Sequence, residues 1–159
     1  MEVQQDYRDL LALFNEHKVE YVIVGAYALG FYGAPRYSGD IDIFINPDPS
    51  NARKIMTALD EFGFGSVGLS SADFENRNKI VQLGLPPVRI DLIPSLTAVS
   101  WEDVWSGKEE GRFGGVLVYY IGRSEFILNK RALGRKIDLA DLEALGIDWI
   151  STDESETDR

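Results

Sequence analysis

Residues 21–46, YVIVGAYALGFYGAPRYSGDIDIFIN, contain the pattern that decides the fold of this chain. Residues 21–24 form an apolar run that is rich in β-branched residues, which is typical of a buried strand. The small and apolar residues after Gly25 predict a tight turn and a short helix that starts near Ala26. Residues 40–45, DIDIFI, predict a second strand. The expected centre of the fold is therefore a strand, a turn with a short helix, and a further strand.

Asp40 and Asp42 share one face of the second predicted strand, because successive side chains of a strand point to opposite faces. The isoleucines of the strand share the other face, which suits a core under helices. Two carboxylates this close repel each other unless a cation lies between them or one is protonated. Oxygen ligands favour Mg²⁺ or Mn²⁺, and Mg²⁺ commonly binds one or two carboxylates with substrate phosphates. The pair indicates a metal site; the alternative is an exposed strand with alternating acids.

The turn at Gly25 and Ala26 adds a second feature to this prediction. The first N–H groups of a helix are unpaired and lie at the positive end of the helix dipole, so they can hold phosphate. A phosphate-binding turn followed by a metal-binding acid pair supplies the two parts of a nucleoside triphosphate site.

A third acid, Asp91, lies on a later predicted strand. Residues 79–84 and 88–93 are predicted strands, and the Leu-Pro-Pro sequence between them predicts a hairpin. Arg89 and Asp91 share the outward face of the second of these strands. Two interpretations of Asp91 remain open from the pattern alone, a metal ligand or a surface pair with Arg89, and the upstream acid pair favours the metal ligand.

The rest of the chain predicts helices around the sheet and one more hairpin. Helices are predicted at residues 3–17, from 48 or 50 to 62, within 94–107, from 124 to about 136, and at 138–145, and the hairpin at residues 112–121. The expected N-caps are Asp48 or Ser50, Ser124 and Asp138, and the helix from residue 124 is expected to turn Leu128 toward the core. Residues 66–78 give no clear pattern. We expect one domain over residues 1–150 and a disordered acidic tail at residues 151–159.

Composition narrows the class of protein. A chain of 159 residues suits one domain with a core of its own, and a net charge of −10 argues against broad nonspecific binding to nucleic acid. The absence of cysteine excludes disulfides and thiolate metal sites. No apolar run is long enough for a membrane helix and no signal peptide is recognisable, so we expect a cytoplasmic protein without a membrane partner.

The G-A pair at residues 25–26, followed by R-x-S-x-D-x-D at residues 36–42, resembles the signature of the DNA polymerase β-like nucleotidyltransferase superfamily. The local sequence is similar to the stand-alone AbiEii-like nucleotidyltransferases of bacteria and archaea. One departure is Ala26, where Gly or Ser is usual. The resemblance implies an α/β (α+β) fold with a mixed, twisted sheet of about five strands flanked by helices, as in the palm of polymerase β, and Asp91 as the third carboxylate.

A second segment carries the same resemblance. Lys130, Arg135 and Lys136 precede Asp138 and Asp141 in a pattern similar to the C-terminal K…R-K-D-x-x-D element of the AbiEii-like enzymes. The resemblance implies that cations of this segment contact a triphosphate. The alternative is a basic helix end exposed to solvent, followed by an ordinary capping acid.

The function implied by the resemblance is metal-dependent transfer of a nucleoside monophosphate from a nucleoside triphosphate to an acceptor hydroxyl. The acceptor is left open among a tRNA end, a protein and a small molecule, as are a toxin–antitoxin role and a partner protein or homo-oligomer. The alternative function is a catalytically weak binding module or antitoxin. The implied cofactor is Mg²⁺ or Mn²⁺. The implied catalytic and metal-binding residues are Asp40, Asp42 and Asp91, and the implied nucleotide-binding residues are Gly25, Ala26, Arg36, Ser38, Lys130 and Arg135.

Overall fold

Six strands form one mixed sheet in the computed structural model, which describes residues 4–64 and 68–147. The strands are β1 (Tyr21–Val24), β2 (Asp40–Ile45), β3 (Val81–Leu83), β4 (Arg89–Ile93), β5 (Glu109–Phe113) and β6 (Val116–Tyr120). Their order in the sheet is β3-β4-β2-β1-β6-β5. β1 runs antiparallel to β2 and parallel to β6, while β2 and β4 are parallel. The predicted mixed α+β fold is confirmed, with six strands where about five were expected.

Seven helices flank this sheet within the described residues. They are α1 (Gln5–Glu16), α2 (Gly25–Phe31), α3 (Pro49–Phe62), α4 (Ser71–Glu75), α5 (Trp101–Gly107), α6 (Arg123–Leu133) and α7 (Lys136–Ala144). The predicted acidic tail at residues 151–159 lies outside the described residues.

The two strands predicted from the central stretch have the predicted bounds. Ile41, Ile43 and Ile45 are each at most 1% exposed to solvent, as expected for residues that share the core-facing side of β2. Tyr7 on α1 is also buried, and its hydroxyl lies 3.2 Å from the carbonyl oxygen of Pro87 and 3.0 Å from that of Arg89, donating its one hydrogen to either. α1 therefore fixes the point at which β4 begins, which is where the site described below is built.

Three helix starts differ from the predictions for local reasons. α4 was not predicted, because five residues show too little periodicity; Ser70 and Asp73 form its capping box. α6 begins at Arg123 with Gly122 as the N-cap, so Ser124 is not the cap. α7 begins at Lys136 with Arg135 as the N-cap, so Asp138 is not the N-cap; from the third helical position its carboxylate accepts the backbone N–H of Arg135 at 3.1 Å in a capping box.

Leu128 on α6 is a further correction. It was expected to face the core, but it is 51% exposed. On the same helix Asn129 and Lys130 are buried, so the buried face of α6 is partly polar. The spacing of apolar residues in the sequence therefore does not predict which face is buried. The buried lysine is the first sign that α6 contributes to a charged site.

Candidate active site

Asp40, Asp42 and Asp91 are brought together by the pairing of β2 with β4. In this parallel pair Asp42 lies opposite Asp91, and Asp40 lies opposite Arg89. Residues that face each other across two strands project to the same face of the sheet, where their side chains are neighbours. Each of the three aspartates offers an oxygen, and these oxygens all lie within 4.8 Å of one another. We call these three residues the acid cluster.

Gly25 is the residue that allows the chain to turn beside the acid cluster. Its φ is 67°, in the left-handed region that favours glycine. A Cβ at this position would collide with Oδ2 of Asp42. Both the backbone conformation and the space above Asp42 therefore require glycine here, whereas Ala26 follows with its side chain buried in α2.

Arg89 lies within the acid cluster, a position that the sequence interpretation did not assign to it. Its Nη2 donates hydrogen bonds to Oδ2 of Asp40 at 2.6 Å and to Oδ2 of Asp91 at 3.3 Å. Its Nε lies 3.1 Å from Oδ1 of Asp91 without making a hydrogen bond. The alternation of β4 did place Arg89 and Asp91 on one face; only the β2–β4 register reveals that Asp40 joins them.

The three carboxyls of the acid cluster differ in acidity. Burial raises the pKa of Asp42 to about 7, and the charges of Asp40 and Asp91 add to this rise. Burial also raises the pKa of Asp91, against the opposing charge of Arg89. Burial acts on Asp40 too, but hydrogen bonds from Ser38 and Arg89 outweigh it and lower the pKa of that carboxyl. Asp42 and Asp91 are therefore weaker acids than Asp40.

The acid cluster fits a hard divalent cation. Three carboxylates from two adjacent strands form the oxygen-only donor set that Mg²⁺ and Mn²⁺ prefer. Oδ1 of Asp91 is buried and accepts no hydrogen bond, although Nε of Arg89 lies 3.1 Å away, so this oxygen has a lone pair to offer a cation. Burial, with the charges of the neighbouring carboxylates as a further cause, raises the pKa of Asp42 and Asp91, and a bound cation would oppose that rise.

Ser38 orients the first acid of the cluster. Its hydroxyl lies 2.8 Å from both the carbonyl and Oδ1 of Asp40. A hydroxyl has one hydrogen to donate, so it serves one of these acceptors at a time. Ser38 thus contacts the acid cluster itself.

Lys130, Asp138, Asp141, Arg36 and Arg135 form a second set of charges, which we call the C-terminal charge network. Nζ of Lys130 lies 3.3 Å from Asp138 and 3.1 Å from Asp141. Arg36 makes a two-point contact with Asp141, at 3.0 Å and 3.3 Å. Arg135 pairs with Asp138 at 2.7 Å and 3.1 Å. The two carboxylates, 0% and 2% exposed as residues, therefore hold three cations.

The C-terminal charge network reaches the acid cluster electrostatically. The charge of Lys130 opposes the burial that raises the pKa of Asp42, so its ammonium lies within electrostatic range of that carboxyl. Arg36 lies in the loop that leads into β2, and its ion pair with Asp141 connects that loop to α7. The side chain of Arg135 is 62% exposed, so of the three cations it is the one most open to solvent.

His17, the single histidine, lies away from this site. It caps the C-terminus of α1, and its Nε2 lies 2.9 Å from Oε1 of Glu61. Glu16 and Glu61 are both exposed around it. The described residues contain no helix that is both long and apolar enough to cross a membrane.

Comparison with known proteins identifies the fold. The sequence matches no protein-family model and no curated protein. Among solved structures, a protein of Thermotoga maritima described as a "putative nucleotidyltransferase" aligns with a TM-score of 0.54 at 16% sequence identity. The alignment covers 99% of this chain and 97% of that protein. At this identity the likeness concerns the fold alone: the chain has a nucleotidyltransferase fold.

Proposed function

We propose that this protein is a metal-dependent nucleotidyltransferase that moves a nucleoside monophosphate from a nucleoside triphosphate to an acceptor hydroxyl. The observation that carries the proposal is the acid cluster, in which three carboxylates from two strands meet beside the Gly25 turn. The likeness in fold to the Thermotoga protein supports it. We further propose that the enzyme is of the AbiEii-like kind, because residues 130–141 carry the pattern of that group.

Asp40 and Asp42 would hold Mg²⁺ or Mn²⁺, and Asp91 would act as a third ligand or take the proton of the acceptor hydroxyl. The bound metal would supply charge stabilisation for the displacement. Ser38 fixes the carboxylate of Asp40 in place. Phosphoryl transfer depends mainly on positioning and on electrostatic stabilisation, which is work that a fixed array of charges can do.

The phosphates would meet the backbone N–H groups at Gly25 and Ala26 and the cations of the C-terminal charge network. Lys130 is the best placed of these cations, because its ammonium is fixed by two carboxylates and acts on Asp42. A lysine ammonium has three donors, and the contacts with Asp138 and Asp141 use two of them. Arg36 and Arg135 complete the proposed phosphate-binding set.

In the reaction, the acceptor oxygen forms a bond to the α-phosphorus while the bond from that phosphorus to the bridging oxygen breaks. Pyrophosphate leaves with the electron pair of that bond, and the hydroxyl proton passes to a base. The acceptor could be a tRNA end, a protein or a cationic small molecule, and the net charge of −10 suits a cationic acceptor best.

The proposal is tested by incubating the protein with Mg²⁺, each labelled nucleoside triphosphate in turn, and cell extract, and then identifying the species that gains label. We expect transfer by the unmodified protein and a loss of at least a hundredfold in Asp42→Ala, because the metal loses a ligand. Asp60→Ala is the matched control, since Asp60 is exposed on α3. Equal labelling by the unmodified protein and Asp42→Ala would overturn the catalytic assignment and leave the binding-module alternative.

A further inference from the structure

The guanidinium of Arg89 already supplies a positive charge to the acid cluster. It contacts Asp40 and Asp91 at once, and Asp42 lies against Asp91. We propose that Arg89 is a built-in counter-ion of the acid cluster that the metal must displace, so that this side chain sets the metal concentration at which the site fills. The inference rests on the proposed metal site.

The hydrogen bonds of Asp40 show why metal and arginine compete. One oxygen of this carboxylate lies 2.8 Å from the Ser38 hydroxyl, and the other accepts from Arg89 Nη2 at 2.6 Å. A cation at Oδ2 would therefore lie beside the guanidinium, and two positive charges at that distance repel strongly. Binding of the metal thus favours withdrawal of Arg89 from Oδ2.

The contact of Arg89 with Asp91 is less complete than its contact with Asp40. Nε of Arg89 and Oδ1 of Asp91 are both buried and form an ion pair at 3.1 Å, yet neither atom makes a hydrogen bond. An ion pair without a hydrogen bond recovers less of the desolvation cost of its buried atoms. The guanidinium is therefore an imperfect partner for Asp91. A guanidinium donates only along its fixed N–H directions, whereas a divalent cation has no such fixed directions. A divalent cation would therefore make a better contact with Oδ1.

Arg89 can move because its side chain is at the edge of the cluster. It is 31% exposed, whereas the side chain of Asp91 is 9% exposed. The backbone of Arg89 stays fixed by Tyr7 and by the pairing of β4 with β2, so only the side chain needs to move. When no metal is bound, Arg89 thus supplies the positive charge that keeps the three acids together.

The test compares Arg89→Gln with the unmodified protein in the absence of nucleotide, with Mn²⁺ binding followed by the paramagnetic resonance signal of free Mn²⁺. Removing the resident charge should lower the Mn²⁺ dissociation constant by at least about tenfold. In buffer with a chelator the melting temperature of Arg89→Gln should fall below that of the unmodified protein, and saturating Mn²⁺ should narrow the difference. Arg53→Gln is the matched control, because it removes the same charge from an exposed position on α3.

A second variant, Arg89→Lys, keeps the charge but cannot make the forked contact with two carboxylates. Its dissociation constant should lie between those of the unmodified protein and Arg89→Gln, and it serves as the test should Arg89→Gln not fold. Equal Mn²⁺ binding by the Arg89 variants would overturn the inference. Weaker binding would also overturn it, and would show that the arginine holds the ligands in place. Absence of Mn²⁺ binding by the unmodified protein and by every Arg89 variant would overturn the metal site itself, and with it the proposed function.

Discussion

At the scale of the residue, Gly25 links the backbone to the acid cluster. Its φ of 67° suits glycine, and the space that a Cβ would need is filled by the carboxylate of Asp42. Any side chain at this position must strain the turn and push Asp42 aside. Gly33 is a useful comparison, because its φ of 103° is also positive but a Cβ there would meet nothing within 4 Å.

We therefore expect Gly25→Ala and Gly33→Ala to differ in kind. Both variants should lose roughly 1–2 kcal/mol in the free energy of unfolding from the unfavourable φ. Only Gly25→Ala should also weaken Mn²⁺ binding, by about tenfold or more, because Asp42 is displaced. Urea unfolding and Mn²⁺ titration measure the two effects. Unchanged Mn²⁺ affinity in Gly25→Ala would show that Asp42 is not a ligand or that it moves without consequence.

At the scale of the element, α7 is held to the rest of the site by charge. Asp141 receives Arg36 from the loop before β2 and Lys130 from α6, so one carboxylate joins three parts of the chain. Removing one partner from a buried ion pair leaves an uncompensated charge and is strongly destabilising. The position of Lys130 near Asp42 thus depends on a helix that does not itself carry the acid cluster.

For Asp141→Asn we expect a loss of about 2–4 kcal/mol in the free energy of unfolding, together with weaker binding of a nucleoside triphosphate. The control is Glu143→Gln, which removes the same charge from an exposed position of α7 and should change stability by less than about 0.5 kcal/mol. Urea unfolding and isothermal titration calorimetry provide the measurements. Equal stability of the two variants would contradict the role of the C-terminal charge network as a support of the site.

At the scale of the whole molecule, metal and nucleotide should stabilise the fold together. A ligand that binds only the folded state at a hundred times its dissociation constant adds about 2.7 kcal/mol. For a chain of this size that corresponds to a rise of roughly 5–10 °C in melting temperature. We expect this rise with Mg²⁺ plus the preferred triphosphate, and a much smaller one after addition of a chelator.

The thermal measurement also separates the two proposed functions. A binding module that has lost the triphosphate site should show no such metal-dependent rise with any of the four nucleoside triphosphates. A rise of the same size in the presence of chelator would instead show that the triphosphate binds without the acid cluster. Differential scanning fluorimetry with each nucleotide, with and without Mg²⁺, provides the comparison.

The sequence by itself determined the central elements, because their signals are local. The bounds of β1 and β2, the short helix between them, and the shared face of Asp40 and Asp42 follow from periodicity and from one glycine. The cap of α3 was narrowed to Asp48 or Ser50 for the same reason, since a capping residue acts on backbone groups two or three positions away, and the structure has Asp48 as the cap.

Only the tertiary structure decided which charges meet. The contact of Arg89 with Asp40 depends on the register of two strands that are 49 residues apart in the chain. The contact of Arg36 with Asp141 spans 105 residues. Charged side chains carry no periodicity that reveals their distant partners, and a buried Lys130 looks the same in sequence as an exposed one. The sequence could therefore propose the acids of the site, whereas the arrangement of cations around them required the fold.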